Sequence, residues 1–231
     1  MRLTNPAAGA TDGGRSETRR RLDLCVAFVD LAGFTALTQA HGDDYAADVH
    51  DALVGALARA CQQSPGVVCV KHLGDGALLT APDSAAMLTA LVAGVRDQGD
   101  AELRLRVRAG VNTGPVLLVS SGHGPDVLGH TVNVAARLCA LAAPGELLLS
   151  DRVARSGGQQ IGLARHLGPR LLRHVTEPVG VWSLPLGLQD SQIDPVCHMT
   201  VSPGAITVVV GGQERLFCST DCRDAFLTSH G

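Results

Sequence analysis

The stretch FVDLAGFT at residues 28–35 ends an apolar run at Asp30, and the stretch KHLGDG at residues 71–76 contains Asp75 between two glycines. In both places a strand-like apolar segment breaks into a glycine turn beside an aspartate. Two carboxylates held close together would repel each other unless a cation lay between them, and hard divalent cations choose oxygen ligands. The two stretches therefore predict a paired metal site.

Composition limits the classes of protein to which the chain can belong. Its 231 residues suffice for one domain and a small second one, and its formal net charge of −3 offers no basic surface for nucleic acid or an acidic membrane. The longest nearly uninterrupted apolar stretch, at residues 85–95, is far shorter than the ~20 residues of a membrane span, and no signal-peptide pattern is present. We expect a cytoplasmic protein without nucleic-acid or membrane partners.

Hydrophobic periodicity predicts the order of the secondary-structure elements. Apolar residues recur at helical spacing from Tyr45 to Ala60, and Gly74 and Gly76 suggest a hairpin turn. Residues 1–20 show no apolar period and are predicted to be a disordered leader. The predicted strands are 24–29, 67–73, 77–81, 103–111, 116–119, 146–150 and 179–184, with a turn at 112–115, and further helices are predicted at 87–95 and 132–141. This order predicts an α+β, ferredoxin-like βαββαβ sandwich with its helices on one sheet face.

Several separated motifs together resemble the class III nucleotidyl cyclase catalytic domain over residues 21–186. The two aspartate stretches are similar to the metal motifs of that family, and VNVAAR at residues 132–137 is similar to its transition-state helix. Asp126 precedes Asn133 by the seven residues expected of the family's adenine-reading aspartate. The stretches LGPRLLR at 167–173 and EPVGVW at 177–182 resemble the family's final strands.

The resemblance implies an adenylate cyclase, which converts ATP to 3′,5′-cyclic AMP and pyrophosphate when the ribose 3′-hydroxyl attacks the α-phosphate. Asp30 and Asp75, with the carbonyl of Leu31, would hold two Mg²⁺ or Mn²⁺ ions in each active site. The backbone N–H groups of the next residues would receive the β- and γ-phosphates at a helix N-terminus. These phosphate-binding residues are Gly33, Phe34 and Thr35.

Two further pairs of residues have roles that the resemblance implies. Asn133 would orient the ribose and Arg137 would stabilise the pentacoordinate phosphorus, from one face of a helix. Lys71 would donate to adenine N1 and Asp126 would accept from the N6 amino group, whereas guanine offers the opposite pattern. The base-reading pair therefore favours ATP over GTP. Taken singly, each of these residues has a plain structural alternative as a turn, cap or surface residue.

Active sites of this family form between two catalytic domains, and this chain carries both halves. The resemblance is expected to place the metal aspartates and Lys71 on one protomer, with Asn133, Arg137 and Asp126 on the other. It therefore predicts a homodimer with two equivalent interface sites. The competing hypothesis is a nucleotide-binding sensor or interaction protein that keeps the cyclase fold but turns over weakly.

The segment 194–231 follows a predicted linker at 187–193 and contains three of the seven cysteines. A segment this short rarely buries a core without a metal, a disulfide or a partner. The stretches DPVCHMTV at 194–201 and LFCSTDCRDAF at 216–226 resemble the YHS domain, a small treble-clef-like module presumed to bind metal. A role of this module in metal or redox regulation of the cyclase is a hypothesis from adjacency in sequence.

The module's three cysteines predict a second metal site for a soft or borderline ion, either Zn²⁺ or a copper ion. They are Cys197, Cys218 and Cys222. The fourth ligand is not evident; His198, which stands where the family usually has Gly, and His230 are both candidates. A thiol-bearing docking module without metal stays open as an alternative. Four further cysteines are predicted to be small buried hydrophobes, namely Cys25, Cys61, Cys69 and Cys139.

Overall fold

A computed structural model describes residues 19–96, 107–121, 124–186, 193–201 and 204–230. The predicted leader at 1–20, apart from its last two residues, and the predicted linker at 187–193, apart from Ile193, lie outside this description. Among the helices in these ranges, none has the length and apolar character that crossing a bilayer requires.

The described residues form ten strands, six α-helices and one short 3₁₀ helix. In chain order they are β1 (Arg20–Leu31), α1 (Phe34–His41), α2 (Asp43–Gln63), β2 (Val68–Leu73), β3 (Gly76–Ala81), α3 (Ser84–Arg96), β4 (Val107–Ser121), β5 (Gly124–Leu128), α4 (His130–Leu141), β6 (Glu146–Ser150), α5 (Asp151–Ser156), a 3₁₀ helix (Gly158–Leu163), β7 (Arg165–Arg170), β8 (Val179–Pro185), β9 (Ile206–Val210), β10 (Gln213–Phe217) and α6 (Thr220–His230).

One eight-stranded sheet organises the larger part of the chain. Its strand order is β2-β3-β1-β4-β6-β8-β7, and β5 pairs with β4 outside this path. β1 lies antiparallel to both β3 and β4, so the strand that carries Asp30 is central in the sheet. The predicted succession βαββαβ is present from β1 to β4, which confirms the mixed α/β class.

The two faces of the sheet are covered by different helices. Side chains alternate along β1, so Val29 belongs to a cluster with Leu53 and Met87 of α2 and α3, whereas Val26 belongs to one with Ala135 of α4. The expectation that all helices lie on one face is therefore wrong. Gly110 of β4 permits the second layer, because a side chain there would overlap the backbone of α4.

The predicted turn at residues 112–115 is also wrong, because β4 runs without a break from Val107 to Ser121. It pairs with β1 over the full length of that strand, from Arg20 opposite Leu118 to Leu31 opposite Val107. Twelve residues of continuous pairing outweigh the local turn preference of an Asn-Thr-Gly-Pro sequence. The buried amide of Asn112 donates instead to the Thr131 carbonyl, 3.1 Å away, where α4 begins.

The C-terminal segment forms an antiparallel hairpin of β9 and β10, followed by α6. The rings of Phe217 and Phe226 pack with centroids 5.4 Å apart, and Phe217 is fully buried. Phe217, Cys197 and Cys222 belong to the same hydrophobic cluster as Leu37 of α1. The segment is thus packed on the side of the main sheet that α1, α2 and α3 cover, while its assignment to the treble-clef class and the two domain boundaries remain predictions.

Candidate active site

Asp30 and Asp75 come together because β1 and β3 are paired neighbours. Asp30 lies at the end of β1 opposite Gly76, and the Leu31 N–H donates to the Asp75 carbonyl over 3.3 Å. A Cβ at Gly76 would lie 2.5 Å from the Val29 carbonyl oxygen and 3.3 Å from Oδ1 of Asp30, so the turn can approach β1 this closely only with glycine. The structure therefore brings the two predicted metal aspartates together.

The electrostatics of this pair favour a cation. Burial raises the pKa of Asp75, and the negative charge of Asp30 raises it further. Two such carboxylates gain from any positive charge placed between or beside them. In the isolated chain that charge is Arg108 on β4, whose Nη2 and Nε donate to Oδ2 of Asp30 over 2.6 and 2.8 Å.

Arg108 is a site residue that sequence reasoning missed, because an arginine that alternates with apolar residues along a strand is typical of a solvated face. Its position was nevertheless recoverable from the strand pairing, since Arg108 stands directly opposite Asp30. Residues paired in neighbouring strands point to the same face of the sheet. A cation beside the predicted metal pair can exchange its carboxylate partner for a phosphate when a metal ion binds Asp30.

Helix α1 begins three residues after Leu31. Gly33 precedes the helix with a φ of 77°, in the left-handed region, and its carbonyl accepts from the Leu37 N–H over 2.9 Å. Phe34 and Thr35 lie in the first turn, where backbone N–H groups have no partner within the helix. The helix start therefore presents anion-binding N–H groups close to the aspartate pair.

The base-reading candidates lie in direct contact with each other. Nζ of Lys71 on β2 donates to Oδ2 of Asp126 on β5 over 2.6 Å, and Oδ1 of Asp126 accepts from the Val127 N–H over 2.8 Å. Lys71 is opposite Leu78, which is opposite Phe28, so Lys71 shares the sheet face of Asp30. The expected division, with Lys71 and Asp126 supplied by different protomers, is corrected: in this chain they form one intramolecular ion pair.

Asn133 and Arg137 are exposed on the same side of α4. Its other residues are mostly buried and pack on the sheet. They are Thr131, Val132, Val134, Ala135, Leu138 and Cys139. The helix thus has the predicted two-sided character, and it begins two residues after β5, the strand that carries Asp126.

A second cluster of chemistry-bearing side chains lies at the opposite end of α1. His41, the last residue of that helix, joins Cys197, Cys218 and Cys222, and all four donor atoms lie within 4.8 Å of one another. The Sγ of Cys218 is 3.5 Å from Sγ of Cys197, 3.7 Å from Sγ of Cys222 and 3.4 Å from Nε2 of His41. Hydrogen bonds from the other two thiols lower the pKa of Cys222.

The fourth group of this cluster is therefore His41, which sequence reasoning did not consider. His198 lies elsewhere: its ring packs on the backbone of Gly33, where a Cβ would overlap it. Its φ of 57° is in the left-handed region, which favours glycine. The side chain of His230, the other candidate, lies outside the described residues.

The remaining cysteines differ in burial. Cys25 and Cys139 are buried, and burial raises the pKa of each thiol to about 12, as expected of small core residues. Cys61 and Cys69 are only half-buried, and burial raises the pKa of both thiols. The prediction of buried hydrophobes is confirmed for the first pair and only partly met by the second.

Comparison with known proteins places this site in a family. Residues 17–169 match the family described as the adenylate and guanylate cyclase catalytic domain. A pH-sensitive adenylate cyclase from Mycobacterium tuberculosis is 32% identical over 173 residues, which cover 71% of this chain and 41% of that protein. The chain spans less than half the length of the curated relatives it matches.

Solved structures agree in fold. The adenylyl cyclase CyaB from P. aeruginosa superposes with a TM-score of 0.61 at 21% identity, covering 75% of this chain and 98% of that one. The guanylyl cyclase Cya2 superposes with a TM-score of 0.60 at 20% identity, covering 74% of this chain and 95% of that one. This chain therefore belongs to the adenylate and guanylate cyclase catalytic domain family.

Proposed function

We propose that this protein is an adenylate cyclase that converts ATP to 3′,5′-cyclic AMP and pyrophosphate. The observation that carries the choice of base is the Lys71–Asp126 pair, with 2.6 Å between Nζ and Oδ2. It presents a donor and an acceptor side by side, as adenine N1 and its N6 amino group require. Guanine would place its O6 acceptor opposite the carboxylate of Asp126 and its N1–H donor opposite the ammonium of Lys71. Neither hydrogen bond could then form.

The aspartate site fits a pair of divalent ions. Its oxygen donors suit Mg²⁺ or Mn²⁺, and because burial and the charge of Asp30 raise the pKa of Asp75, a bound cation would stabilise the charged pair. Asp30, Asp75 and the Leu31 carbonyl would hold the ions. When bound, such ions activate the ribose 3′-hydroxyl and neutralise charge on the triphosphate.

The chain's own groups would complete phosphate binding. The N–H groups of Gly33, Phe34 and Thr35 would receive the β- and γ-phosphates. Arg108, released from Asp30 when that carboxylate turns to a metal ion, would pair with a phosphate oxygen. Asn133 would hold the ribose, and Arg137 would stabilise the charge that develops at the pentacoordinate phosphorus.

We place the catalytic groups on two protomers of a homodimer. Lys71 and Asp126 are one unit, and α4 with Asn133 and Arg137 follows Asp126 within a few residues. We therefore assign these four residues to one side of each active site and the metal aspartates to the partner's side. A two-fold axis then produces two equivalent sites.

Product formation tests the proposal. The full chain is given ATP or GTP with Mg²⁺ or Mn²⁺, and products are identified by mass spectrometry beside Asp75→Asn and a control, Asp23→Asn. Asp23 is exposed on the same sheet as Asp30 but away from the pair. We expect cyclic AMP from ATP, a loss of about 10²-fold or more in Asp75→Asn, and normal activity in the control.

A second function is favoured by one observation. Both Asp30 and Lys71 have ion-pair partners within the chain, so their charges are balanced in the absence of metal ions and nucleotide. A site balanced in this way does not need to catalyse a reaction. A weakly active nucleotide-binding sensor would bind ATP, measured by calorimetry, yet give no cyclic product under any of these conditions. That result would favour the nucleotide-binding sensor over the adenylate cyclase as the function of this protein.

A further inference from the structure

The cluster of His41, Cys197, Cys218 and Cys222 has the dimensions of a tetrahedral metal site. Ligand bonds of ~2.3 Å to sulfur and ~2.0 Å to nitrogen imply about 3.8 Å between sulfurs and about 3.5 Å between sulfur and nitrogen. The observed distances from the Cys218 sulfur are 3.5 and 3.7 Å to the other sulfurs and 3.4 Å to Nε2 of His41. A disulfide would need roughly 2.05 Å, and all three cysteines are free.

The donor atoms decide the class of ion. Three thiolates and one imidazole form a closed four-donor set, which is the usual set of a structural zinc site and leaves no open position for catalysis. Oxygen-preferring ions such as Mg²⁺ are disfavoured by such ligands. A closed set of four donor atoms also suits Zn²⁺ better than Cu⁺, because Cu⁺ is commonly bound by fewer thiolates.

A buried carboxylate holds the ligand loops in place. Asp194 is completely buried; its Oδ1 accepts from the N–H of Cys197 over 3.3 Å, and its Oδ2 accepts from the N–H of Cys218 over 2.8 Å. One side chain therefore fixes two separate ligand loops relative to each other. Oγ of Ser219 accepts from the N–H of Cys222 over 3.2 Å, at the start of α6, the helix that carries the third cysteine. Such outer contacts are what orient ligands in built metal sites.

The fourth ligand belongs to a different part of the fold from the other three. His41 ends α1, whose first turn begins after Gly33, and α1 is only eight residues long. At that first turn the His198 ring of the C-terminal segment lies against the Gly33 backbone. The segment thus contacts both ends of the helix that opens the phosphate-binding turn.

We propose that His41, Cys197, Cys218 and Cys222 bind one Zn²⁺ ion, which fastens the C-terminal segment to α1 and so fixes the turn at Gly33. Occupancy of this site sets the position of the first-turn N–H groups of α1. Zinc then controls nucleotide affinity at a site outside the cyclase chemistry; this last step rests on the proposed function, whereas zinc binding and the ordering of α1 do not.

The binding step is tested with the full chain and with His41→Asn, using His166→Asn as a matched histidine change outside the cluster. Zinc content is measured after purification, affinity by competition with a chelator, and ligand geometry from the absorption of the Co²⁺-substituted protein. We expect one zinc per chain, thiolate-to-cobalt charge transfer with four-coordinate d–d bands, and an affinity about 100-fold weaker in His41→Asn alone.

The coupling step is tested by amide hydrogen exchange of residues 34–41 with and without zinc. We expect zinc to slow exchange in the parent and in His166→Asn but not in His41→Asn, and to tighten binding of a fluorescent ATP analogue in the same two proteins. Amide hydrogen exchange and zinc content can be measured even if no variant forms a cyclic product. Failure of the cyclase proposal can therefore be distinguished from failure of this one.

Four results would overturn the inference. A parent chain that binds no zinc would remove the site, and zinc affinity that is unchanged in His41→Asn would remove His41 from it. Copper in place of zinc in the purified protein would remove the ion we name. Zinc binding that leaves the exchange of residues 34–41 unchanged would remove the coupling.

Discussion

The aspartate site after β1 and the cysteine–histidine cluster at the end of α1 are separated by one short helix, yet they are built in opposite ways. Asp30 and Asp75 offer hard oxygen donors in an open position, and the nearby cation Arg108 already occupies one of them. The cluster offers soft donors, two of which, Cys197 and Cys222, are almost completely buried. A site that exchanges substrate must stay open and incomplete, whereas a site that fastens two parts of a fold can be closed within one chain.

The comparison can be sharpened by changing the base-reading pair, because that change should affect only the open site. Asp126→Asn keeps an oxygen that can accept from the Val127 N–H but adds an amide that can donate to guanine O6. We expect the ratio of kcat/KM for ATP to that for GTP to fall roughly tenfold or more, since a buried mismatch of polar groups costs specificity. Initial rates with both nucleotides measure the ratio.

Zinc content of the same Asp126→Asn protein serves as the control and should match the parent. An unchanged nucleotide ratio would contradict the assignment of Asp126 to the base, and a loss of zinc would contradict the separation of the base-reading pair from the zinc ligands. The nucleotide ratio and the zinc content are both measured on one preparation of the protein.

A smaller effect is expected on the stability of the metal-free protein. The pKa of Asp75 is raised in the folded chain by burial and by the charge of Asp30, so the folded state holds this proton more tightly than the unfolded state does. The charged carboxylate is therefore destabilising at neutral pH, and this penalty fades as the pH falls through the raised pKa. Asp75→Asn should raise Tm at pH 7 by roughly 1–3 °C.

Scanning calorimetry without divalent ions, at neutral and at acidic pH, measures this difference. The gain should shrink at acidic pH and reverse with saturating Mg²⁺, because only the parent gains stability from binding the ion. A lower Tm for Asp75→Asn at pH 7 without metal would show that Asp75 is a stabilising turn residue.

Sequence was a good guide where a glycine turn or the end of an apolar strand marks the residue. The approach of Asp30 to Asp75 follows from a hairpin whose glycine turn lies beside a central strand, and local patterns show both features. The turn predicted at 112–115 failed because pairing with β1 over twelve residues overrides a local preference. Arg108 was missed for a related reason, since its role depends on which residue stands opposite it.

The fourth member of the cysteine cluster could not be predicted, because His41 and the cysteines lie far apart in the chain and meet only through docking of the C-terminal segment. Nothing in the sequence around a single histidine at a helix end distinguishes a metal ligand from a surface residue. His198 was the better candidate by proximity in sequence, but its left-handed backbone directs the ring toward Gly33. Long-range packing, which produces no periodic pattern in the sequence, determines which of the two histidines joins the cysteine cluster.

The measurement that tests the central claim most directly is complementation between inactive variants. Lys71→Ala and Asp75→Ala are mixed after partial unfolding and refolded together, beside a mixture of Lys71→Ala with Asp126→Ala. Because we place Lys71 and Asp126 on one side of each site and Asp75 on the other, the first mixture should recover about a quarter of the parent activity and the second almost none. Recovery in the second mixture but not in the first would contradict the account.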